Sequence, residues 1–194
     1  MSSNKNIAAS KFTSRMVVQY KKATKEPNQY VKFAMKSDTE SYIWYILLSN
    51  FSGNDGEFEG GEYLVRMEAP LPRPSSKDST NSKPGFPYEP PHFYMLTHNG
   101  VYGVDKKVCI SIGEFHADQY RPTLGMSGFA DNLVSGLIGW RELGGGIEIK
   151  NTTAEEKSEL AKQSIASNYE KYPEIMDLIN KSYGVYSSKF GTGK

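Results

Sequence analysis

Four short apolar segments follow one another between residues 31 and 96, and turn-forming residues separate them. The first segment alternates apolar and polar residues at Val31, Phe33 and Met35, which is the two-residue period of a β-strand, and the third, EYLVRME, alternates in the same way. The second segment, SYIWYILLS, is apolar on both faces, and the fourth is the short HFYML. The turn NFSGNDGEFEGGEY between the second and third is rich in Gly, Asn and Asp and predicts a hairpin. The links between the first strands are short and contain no helical pattern. They therefore predict a four-stranded antiparallel meander and argue against a parallel sheet with helical crossovers.

Helical spacing flanks these four segments on both sides. Near the N-terminus, Phe12, Met16 and Tyr20 are four residues apart, which predicts one face of a helix that begins near Ser10. After the strands, the segment MSGFADNLVSGLIGW repeats apolar residues at helical spacing with almost no charge, so we expect a mostly buried helix.

Two further helices are predicted near the C-terminus. Thr152 and Glu155 form a capping box for the first of them, and Pro173 opens the second, which ends near Gly184. The predicted fold class is therefore α+β: a four-stranded antiparallel meander sheet flanked by an N-terminal helix and by C-terminal helices.

The length and composition predict one domain with extensions, because 194 residues of which 38% are hydrophobic can bury one good core. We expect residues 1–9 to be a disordered N-terminus, residues 10–184 to form the domain, and residues 185–194 to be a disordered tail. Within the domain, residues 74–86 are rich in Pro, Ser and Lys, and they predict a mobile inserted loop.

Charge and motifs exclude several classes of function. The chain has 23 Lys and Arg residues against 22 Asp and Glu residues, interspersed, so nothing indicates a nucleic-acid partner. No metalloprotease, P-loop, dinucleotide-binding or Cys-x-x-Cys motif occurs, and we expect no metal and no cofactor. The chain has no apolar run of about 20 residues and its first residues lack a signal-peptide core, so the sequence as given predicts a soluble, cytoplasmic protein.

The one cysteine, Cys109, has two interpretations. A lone cysteine between Val108 and Ile110 is typical of a small buried hydrophobe. Its place in a glycine-rich, non-periodic stretch just after Lys106 and Lys107 is typical of a reactive thiol, because nearby positive charge lowers a thiol pKa. A single cysteine also excludes an intramolecular disulfide and suits a reducing compartment.

The polar residues near the thiol also have both a structural and a catalytic interpretation. Asn99, ten residues before Cys109, could donate its amide to an oxyanion, or it could simply satisfy local backbone groups in an Asn-Gly turn. A cysteine hydrolase would need a histidine as base. His98 and His116 are near enough in sequence for that role, whereas His92 enters a strand and is expected to be structural.

Five motifs in order resemble those of ubiquitin-conjugating enzymes, from about Phe12 to about Tyr172. GEFEGGEY is similar to the family's glycine-rich hairpin, and PYEPP to its proline-rich turn before the fourth strand. LTHNG stands where one branch, typified by tail-anchored enzymes of degradation at the endoplasmic reticulum, has Thr-Pro-Asn-Gly, with His98 in place of the proline. The separation of Asn99 and Cys109 is typical of that branch, and CISIGEFHADQYRPTLGMSG parallels its active-site run.

The resemblance implies roles for residues around the thiol. Cys109 would accept the C-terminal carboxyl of ubiquitin as a thioester and pass it to a lysine, or in this branch to a hydroxyl. Asn99 would hold its loop, stabilise the oxyanion, or both. His116 would be a polar neighbour of the thiol, and Glu148 in GGGIEIK could orient an acceptor amine.

The resemblance also implies partners: ubiquitin, an activating enzyme, a RING-type ubiquitin ligase and protein substrates. Tyr88, Pro122 and Thr123 fall on the two loops that the family offers to ligases, and Lys11 and Arg15 lie on the helix that meets the activating enzyme.

The departures from the family pattern leave alternatives open. RPSSKDSTNSK is an insertion near the ligase loops. The sequence holds no tail anchor, so membrane attachment, at the face of the endoplasmic reticulum, is expected only if an anchor was removed. The rival functions are conjugation of another ubiquitin-like modifier, a non-catalytic ubiquitin-binding adaptor of the same fold, and a cysteine hydrolase.

Overall fold

A computed structural model of the protein describes residues 2–26, 28–52, 56–73, 84–108, 120–140 and 152–184. Helix α1 precedes four strands, and three helices follow them. The elements are α1 (Ser2–Lys25), β1 (Val31–Met35), β2 (Ile43–Leu48), β3 (Tyr63–Glu68), β4 (His92–Met95), a 3₁₀ turn (Pro122–Leu124), α2 (Gly125–Ile138), α3 (Ala154–Lys171) and α4 (Pro173–Ser182). No helix in these ranges is long and apolar enough to cross a membrane.

The four strands form one antiparallel sheet in the order β1-β2-β3-β4, as the sequence predicts. Phe33 pairs with Ile46 across the first ladder, Ile46 with Val65 across the second, and Val65 with Met95 across the third. Since side chains alternate between the faces of a sheet, this register places all four of these residues on the same face. The predicted meander and the predicted hairpin are confirmed.

The main core lies between that face of the sheet and helices α1 and α2. Phe12 and Met16 of α1 are buried against it, as the four-residue spacing predicts. Helix α2 contributes Phe129, Leu133 and Leu137, each at most 1% exposed, so the predicted buried helix is confirmed.

A second, smaller core lies on the opposite face of the sheet. Met176 and Ile179 of α4 pack there with Ala34, Leu47 and Leu64. The two-sided apolar character of β2 follows from this arrangement, because Ile46 faces the main core while Leu47 faces α4. The chain after α4 also covers the sheet edge, where the backbone N–H of Phe33 donates to the Tyr183 hydroxyl at 2.9 Å.

Two helix starts differ from the predicted ones. Helix α1 begins at Ser2 instead of near Ser10, so it includes residues that the sequence predicts to be a disordered N-terminus. The capping box of α3 is one residue later than predicted: the Glu156 N–H donates to Thr153 Oγ1 at 3.1 Å, and the Thr153 N–H donates to Glu156 Oε2 at 2.8 Å. The predicted start of the last helix at Pro173 is confirmed.

The end of the predicted mobile loop also differs. Gly85 and Phe86 are buried, and the Phe86 ring is part of the main core at 1% exposure. The packed chain therefore resumes before residue 87. Residues 74–83 and 185–194 lie outside the described residues, and the remaining domain boundaries stay predictions.

Candidate functional site

The chain enters the candidate site through a β-bulge at the end of β4. The backbone N–H groups of Leu96 and Thr97 both donate to the Leu64 carbonyl, at 2.8 and 3.4 Å. In return the Leu64 N–H donates to Thr97 Oγ1 at 2.8 Å, and that hydroxyl donates to Asn168 Oδ1 of α3 at 2.5 Å. Because two residues that follow β4 lie opposite a single residue of β3, the strand bends and its pairing ends. The bulge therefore sets the direction in which the next residues leave the sheet.

Asn99 organises the turn that follows. Its Oδ1 accepts the N–H groups of Val101 and Tyr102 at 2.9 and 2.7 Å, and its Nδ2 donates to the carbonyls of Thr97 and Tyr102 at 3.0 and 3.3 Å. The side chain is 1% exposed. Gly100 has φ +77°, a backbone conformation that favours glycine. The amide of Asn99 is thus engaged at both ends with its own turn, which is the loop-holding interpretation of this residue.

After the turn, the chain runs back along β4. Val104 and Lys107 form isolated bridges with Met95 and Tyr94. The N–H of Val108 donates to the Phe93 carbonyl at 2.8 Å, and the Val108 side chain is buried. The residue immediately before the predicted nucleophile is therefore fixed to the edge of the sheet.

Three predicted site residues, Cys109, His116 and Glu148, lie outside the described residues, and their roles stay predictions. Of the other two histidines, His98 is exposed beside the Asn99 turn. His92 opens β4 and pairs with Glu68, which is the strand position that the sequence predicts.

The two loops predicted to meet a ligase lie next to each other. Tyr120, just before the 3₁₀ turn, donates its hydroxyl to the Pro87 carbonyl at 2.5 Å and stacks on Phe129 with ring centroids 5.8 Å apart. Burial raises the pKa of Tyr120 to about 12. On the surface that results, Tyr88 is 61% exposed and Pro122 and Thr123 are both exposed.

Helix α1 reaches the same surface through Arg15. Its Nη1 donates to the Phe86 carbonyl at 3.3 Å, and its guanidinium carbon is 5.9 Å from the centre of the Tyr88 ring. Arg15 is half-buried, whereas Lys11 is exposed one turn earlier on the helix. Of the two predicted activating-enzyme contacts, Arg15 therefore also supports the surface around Tyr88.

A buried charged group that the sequence did not predict lies next to the Asn99 turn. Lys157 in the first turns of α3 is 0% exposed, and its Nζ is 3.7 Å from the centre of the Trp140 ring. Trp140 in turn donates from Nε1 to Glu57 Oε2 at 2.7 Å, and Glu57 is 1% exposed. A signal did exist, because the buried positions Ala161, Ser164 and Asn168 of α3 extend one turn back to Lys157.

Comparisons with known proteins agree with the resemblance seen in the sequence, although no protein-family model matches the chain. It is 30% identical over 154 residues to ubiquitin-conjugating enzyme E2 34 of Arabidopsis thaliana, covering 79% of this chain and 57% of that protein. It is 27% identical over 188 residues to E2 J2 of Mus musculus (93% and 65%) and 26% identical over 162 residues to E2 6 of Candida glabrata (84% and 58%). A solved structure of human ubiquitin-conjugating enzyme E2 G1 is similar with a TM-score of 0.49 at 19% identity, covering 64% of this chain and 93% of that one.

An α+β domain with this meander and this asparagine turn, together with these relatives, defines the class of the protein. The chain is a ubiquitin-conjugating-enzyme-like protein, so the resemblance is confirmed. It spans less than two thirds of the length of E2 34, E2 J2 and E2 6.

Proposed function

We propose that the protein is a ubiquitin-conjugating enzyme that carries ubiquitin on Cys109. The similarity over 79% of the chain to a protein of that name supports the class of activity. The observation that carries the proposal is the buried Asn99 turn, held by four side-chain hydrogen bonds, ten residues before the only cysteine. A turn held by these hydrogen bonds provides a rigid surface beside which a thioester can be positioned.

The proposed chemistry has two acyl transfers. The Cys109 thiolate attacks the thioester carbonyl of ubiquitin on the activating enzyme, a new C–S bond forms, and the activating enzyme's thiolate leaves. An acceptor amine then attacks the same carbonyl: a C–N bond forms, the C–S bond breaks, the nitrogen loses a proton, and the thiol of Cys109 is released. Holding the carbonyl and the amine in reactive geometry supplies much of the acceleration.

Asn99 fits this scheme as the residue that holds the turn. A free amide N–H would be needed to bind an oxyanion, but Nδ2 already donates to the carbonyls of Thr97 and Tyr102. We therefore assign its contribution to keeping the backbone of the turn in place. Glu148 and His116 keep their predicted roles of orienting an amine and of serving a hydroxyl acceptor.

We also propose that a RING-type ligase docks on the surface of Tyr88, Pro122 and Thr123, and that the activating enzyme meets α1 at Lys11 and Arg15. An exposed aromatic residue beside a proline suits a shallow anchor site. The support is that Tyr120 joins the two loops, so the exposed residues form one surface. The proposed place of work is the cytoplasm, or the cytoplasmic face of the endoplasmic reticulum in keeping with the branch that the sequence resembles.

The deciding experiment is a loading assay with activating enzyme, ATP and ubiquitin. We expect an adduct that a reducing agent removes, that is absent from Cys109→Ala, and that becomes resistant to the reducing agent in Cys109→Ser. No adduct with ubiquitin, but an adduct with another modifier, would reassign the substrate. No adduct with any modifier would leave the adaptor function, and ATP-independent hydrolysis that needs His98 or His116 would indicate a hydrolase.

A further inference from the structure

We propose that Lys157 is a positioning residue for the transfer step, and that its buried side chain holds the Asn99–Gly100 turn against the adjoining ends of α2 and α3. The inference rests on the proposed function for its catalytic consequence. Lys157 touches no reacting atom in this proposal; it acts through the turn.

The aliphatic part of Lys157 lies directly under the turn. A Cβ atom added to Gly100 would lie 2.8 Å from Lys157 Cγ and 2.9 Å from Thr152 Oγ1. Thr152, just before α3, also donates its hydroxyl to the Gly100 carbonyl. Gly100 is therefore in close contact with Lys157 and Thr152 at the start of α3, and the turn cannot shift toward α3.

The ammonium of Lys157 joins the neighbouring parts of the chain. Its Nζ donates to the carbonyls of Thr152 and Thr153, at 2.5 and 3.5 Å, and it lies 3.7 Å from the centre of the Trp140 ring. The bond from Trp140 to the buried Glu57 extends the contacts to the connection between β2 and β3. One side chain thus links the Asn99 turn, the end of α2 and the start of α3.

A charge at this position needs a reason, because two effects oppose it. Burying an ammonium group is costly unless hydrogen bonds compensate it, and the N-terminal end of a helix disfavours positive charge. A methionine would fill the same space under Gly100 without either cost. The ammonium adds directional contacts. It fixes two backbone carbonyls and one indole ring relative to the aliphatic part of Lys157, which supports the turn.

The consequence concerns geometry at the proposed thioester. Asn99 fixes the turn internally, and Lys157 fixes the turn relative to the helices on its far side. Displacement of a reacting group by about 1 Å can cost up to about a hundredfold in rate. Release of the ammonium contacts should therefore slow attack by the acceptor much more than it slows loading, since loading also draws on the activating enzyme's own active site.

The test compares Lys157→Met, which keeps the stem and removes the ammonium, with Lys162→Met on the same helix. Lys162 is the matched control, because its side chain is 69% exposed and its Nζ is 3.7 Å from Glu159 at the surface. Loading and single-turnover discharge to free lysine are measured on each folded variant. For Lys157→Met we expect loading within about twofold of wild type and a maximal discharge rate lower by about tenfold with an unchanged KM for lysine. Lys162→Met should match wild type in every measurement.

Two results would overturn the inference. The first is an unchanged discharge rate in Lys157→Met; the second is an equal loss of loading and discharge that follows the folded fraction, which is what a purely structural role produces. If Lys157→Met does not fold, Trp140→Leu removes the aromatic partner of the ammonium at a half-buried position, and an unchanged discharge rate in that variant overturns the inference too.

Hydrogen exchange separates this inference from the proposed function. The N–H groups of Val101 and Tyr102 are bound to Asn99 Oδ1, so their exchange reports on the turn without any ubiquitin present. We expect faster exchange in Lys157→Met and unchanged exchange in Lys162→Met. A wild-type protein that cannot be loaded would refute the proposed function alone, whereas unchanged exchange in Lys157→Met would refute the anchoring by Lys157 alone.

Discussion

Asn99 carries four hydrogen bonds in a buried position, so its removal leaves several backbone groups without partners. In Asn99→Ala, the N–H groups of Val101 and Tyr102 lose their acceptor inside the protein. We expect a loss of about 2–3 kcal/mol in the free energy of unfolding, because each unsatisfied buried group costs about 1–3 kcal/mol. Urea denaturation measures this loss in the free energy of unfolding.

The same variant tests what Asn99 does in the reaction. If the amide holds the turn, Asn99→Ala should lower stability and should slow discharge much more than loading, as expected for Lys157→Met. A variant with wild-type stability and loading but slow discharge would show instead that the amide is a spare donor for the oxyanion. Asn99→Asp is the matched control: it keeps an acceptor for the two N–H groups but places a carboxylate oxygen against the carbonyls of Thr97 and Tyr102.

Tyr63 and Tyr120 form a natural pair for testing buried hydroxyls. Both are buried, but the Tyr63 hydroxyl has no hydrogen-bond partner among the described residues, whereas the Tyr120 hydroxyl donates to the Pro87 carbonyl. Tyr63→Phe should therefore leave the free energy of unfolding unchanged or raise it, and Tyr120→Phe should lower it by about 1 kcal/mol. Equal losses in the two variants, measured in urea, would contradict this reasoning.

At this scale the sequence identifies residues whose signal is local. Asn99 is recognisable because an Asn-Gly turn is a short-range pattern, and Tyr88 because an aromatic between prolines marks a loop. Trp140 and Glu57 lie 83 residues apart in sequence, and no local pattern connects a tryptophan after one helix to a carboxylate in a hairpin. A lysine on a helix is also normally read as solvent-exposed, which hides Lys157.

The start of helix α3 shows how an element's boundary depends on tertiary contacts. The sequence TTAEE contains two overlapping capping boxes, and local rules do not choose between them. The structure uses the second, because the Thr152 hydroxyl is engaged with the Gly100 carbonyl while Thr153 is free to cap the helix. Thr153→Ala should cost about 1 kcal/mol in the free energy of unfolding.

The control for this cap is Thr152→Ala, which keeps the helix cap and breaks the contact with the turn. Hydrogen exchange across residues 154–158 measures fraying of the helix, and exchange at residues 101–102 measures loosening of the turn. We expect Thr153→Ala to speed exchange only at residues 154–158, and Thr152→Ala to speed it mainly at residues 101–102. The opposite assignment would place the cap at Thr152, as the sequence pattern first indicated.

The two loops joined by Tyr120 predict a separable effect on ligase function. Tyr88→Ala removes the most exposed aromatic residue of the proposed docking surface, and loss of a central aromatic anchor typically costs at least about 2 kcal/mol, roughly thirtyfold, in binding. We expect the ratio of ligase-stimulated to unstimulated discharge to fall by at least about tenfold at a subsaturating ligase concentration. Ile165→Ala on α3, which truncates an exposed apolar residue elsewhere, should leave the ratio unchanged. An equal effect of both changes would argue against docking at Tyr88.

For the molecule as a whole, the sequence predicts the sheet but not what covers its second face. The alternation in β1 and β3 identifies one buried face, and the doubly apolar β2 indicates that something packs on the other face as well. Helix α4 covers this second face through Met176 and Ile179. Its position depends on the path of the chain after α3, and no periodicity in the sequence encodes that path. The order of elements is therefore predictable from the sequence, whereas the long-range docking of the last helix is not.

Buried tyrosines make the stability of the whole domain sensitive to alkaline pH. Burial raises the pKa of Tyr120 to about 12, and it also raises the pKa values of Tyr63 and Tyr183 above the ordinary value near 10. A raised pKa in the folded state means that the folded protein keeps a proton that the unfolded chain releases. The contribution to stability is therefore complete below about pH 10 and is lost as the pH rises toward the folded-state pKa.

We accordingly expect the free energy of unfolding to fall between about pH 10 and 12, by up to about 1.4 kcal/mol per pH unit for each buried tyrosine. Urea denaturation at a series of pH values measures the slope, and the difference between wild type and Tyr120→Phe isolates one tyrosine, because all other titrating groups cancel. That difference should fall from about 1 kcal/mol through zero and reverse its sign as the pH rises from about 10 to 12, because only the wild type carries the Tyr120 hydroxyl. A difference that stays constant up to pH 12, together with a single tyrosinate absorbance transition near pH 10 for all 13 tyrosines, would show that these hydroxyls reach solvent.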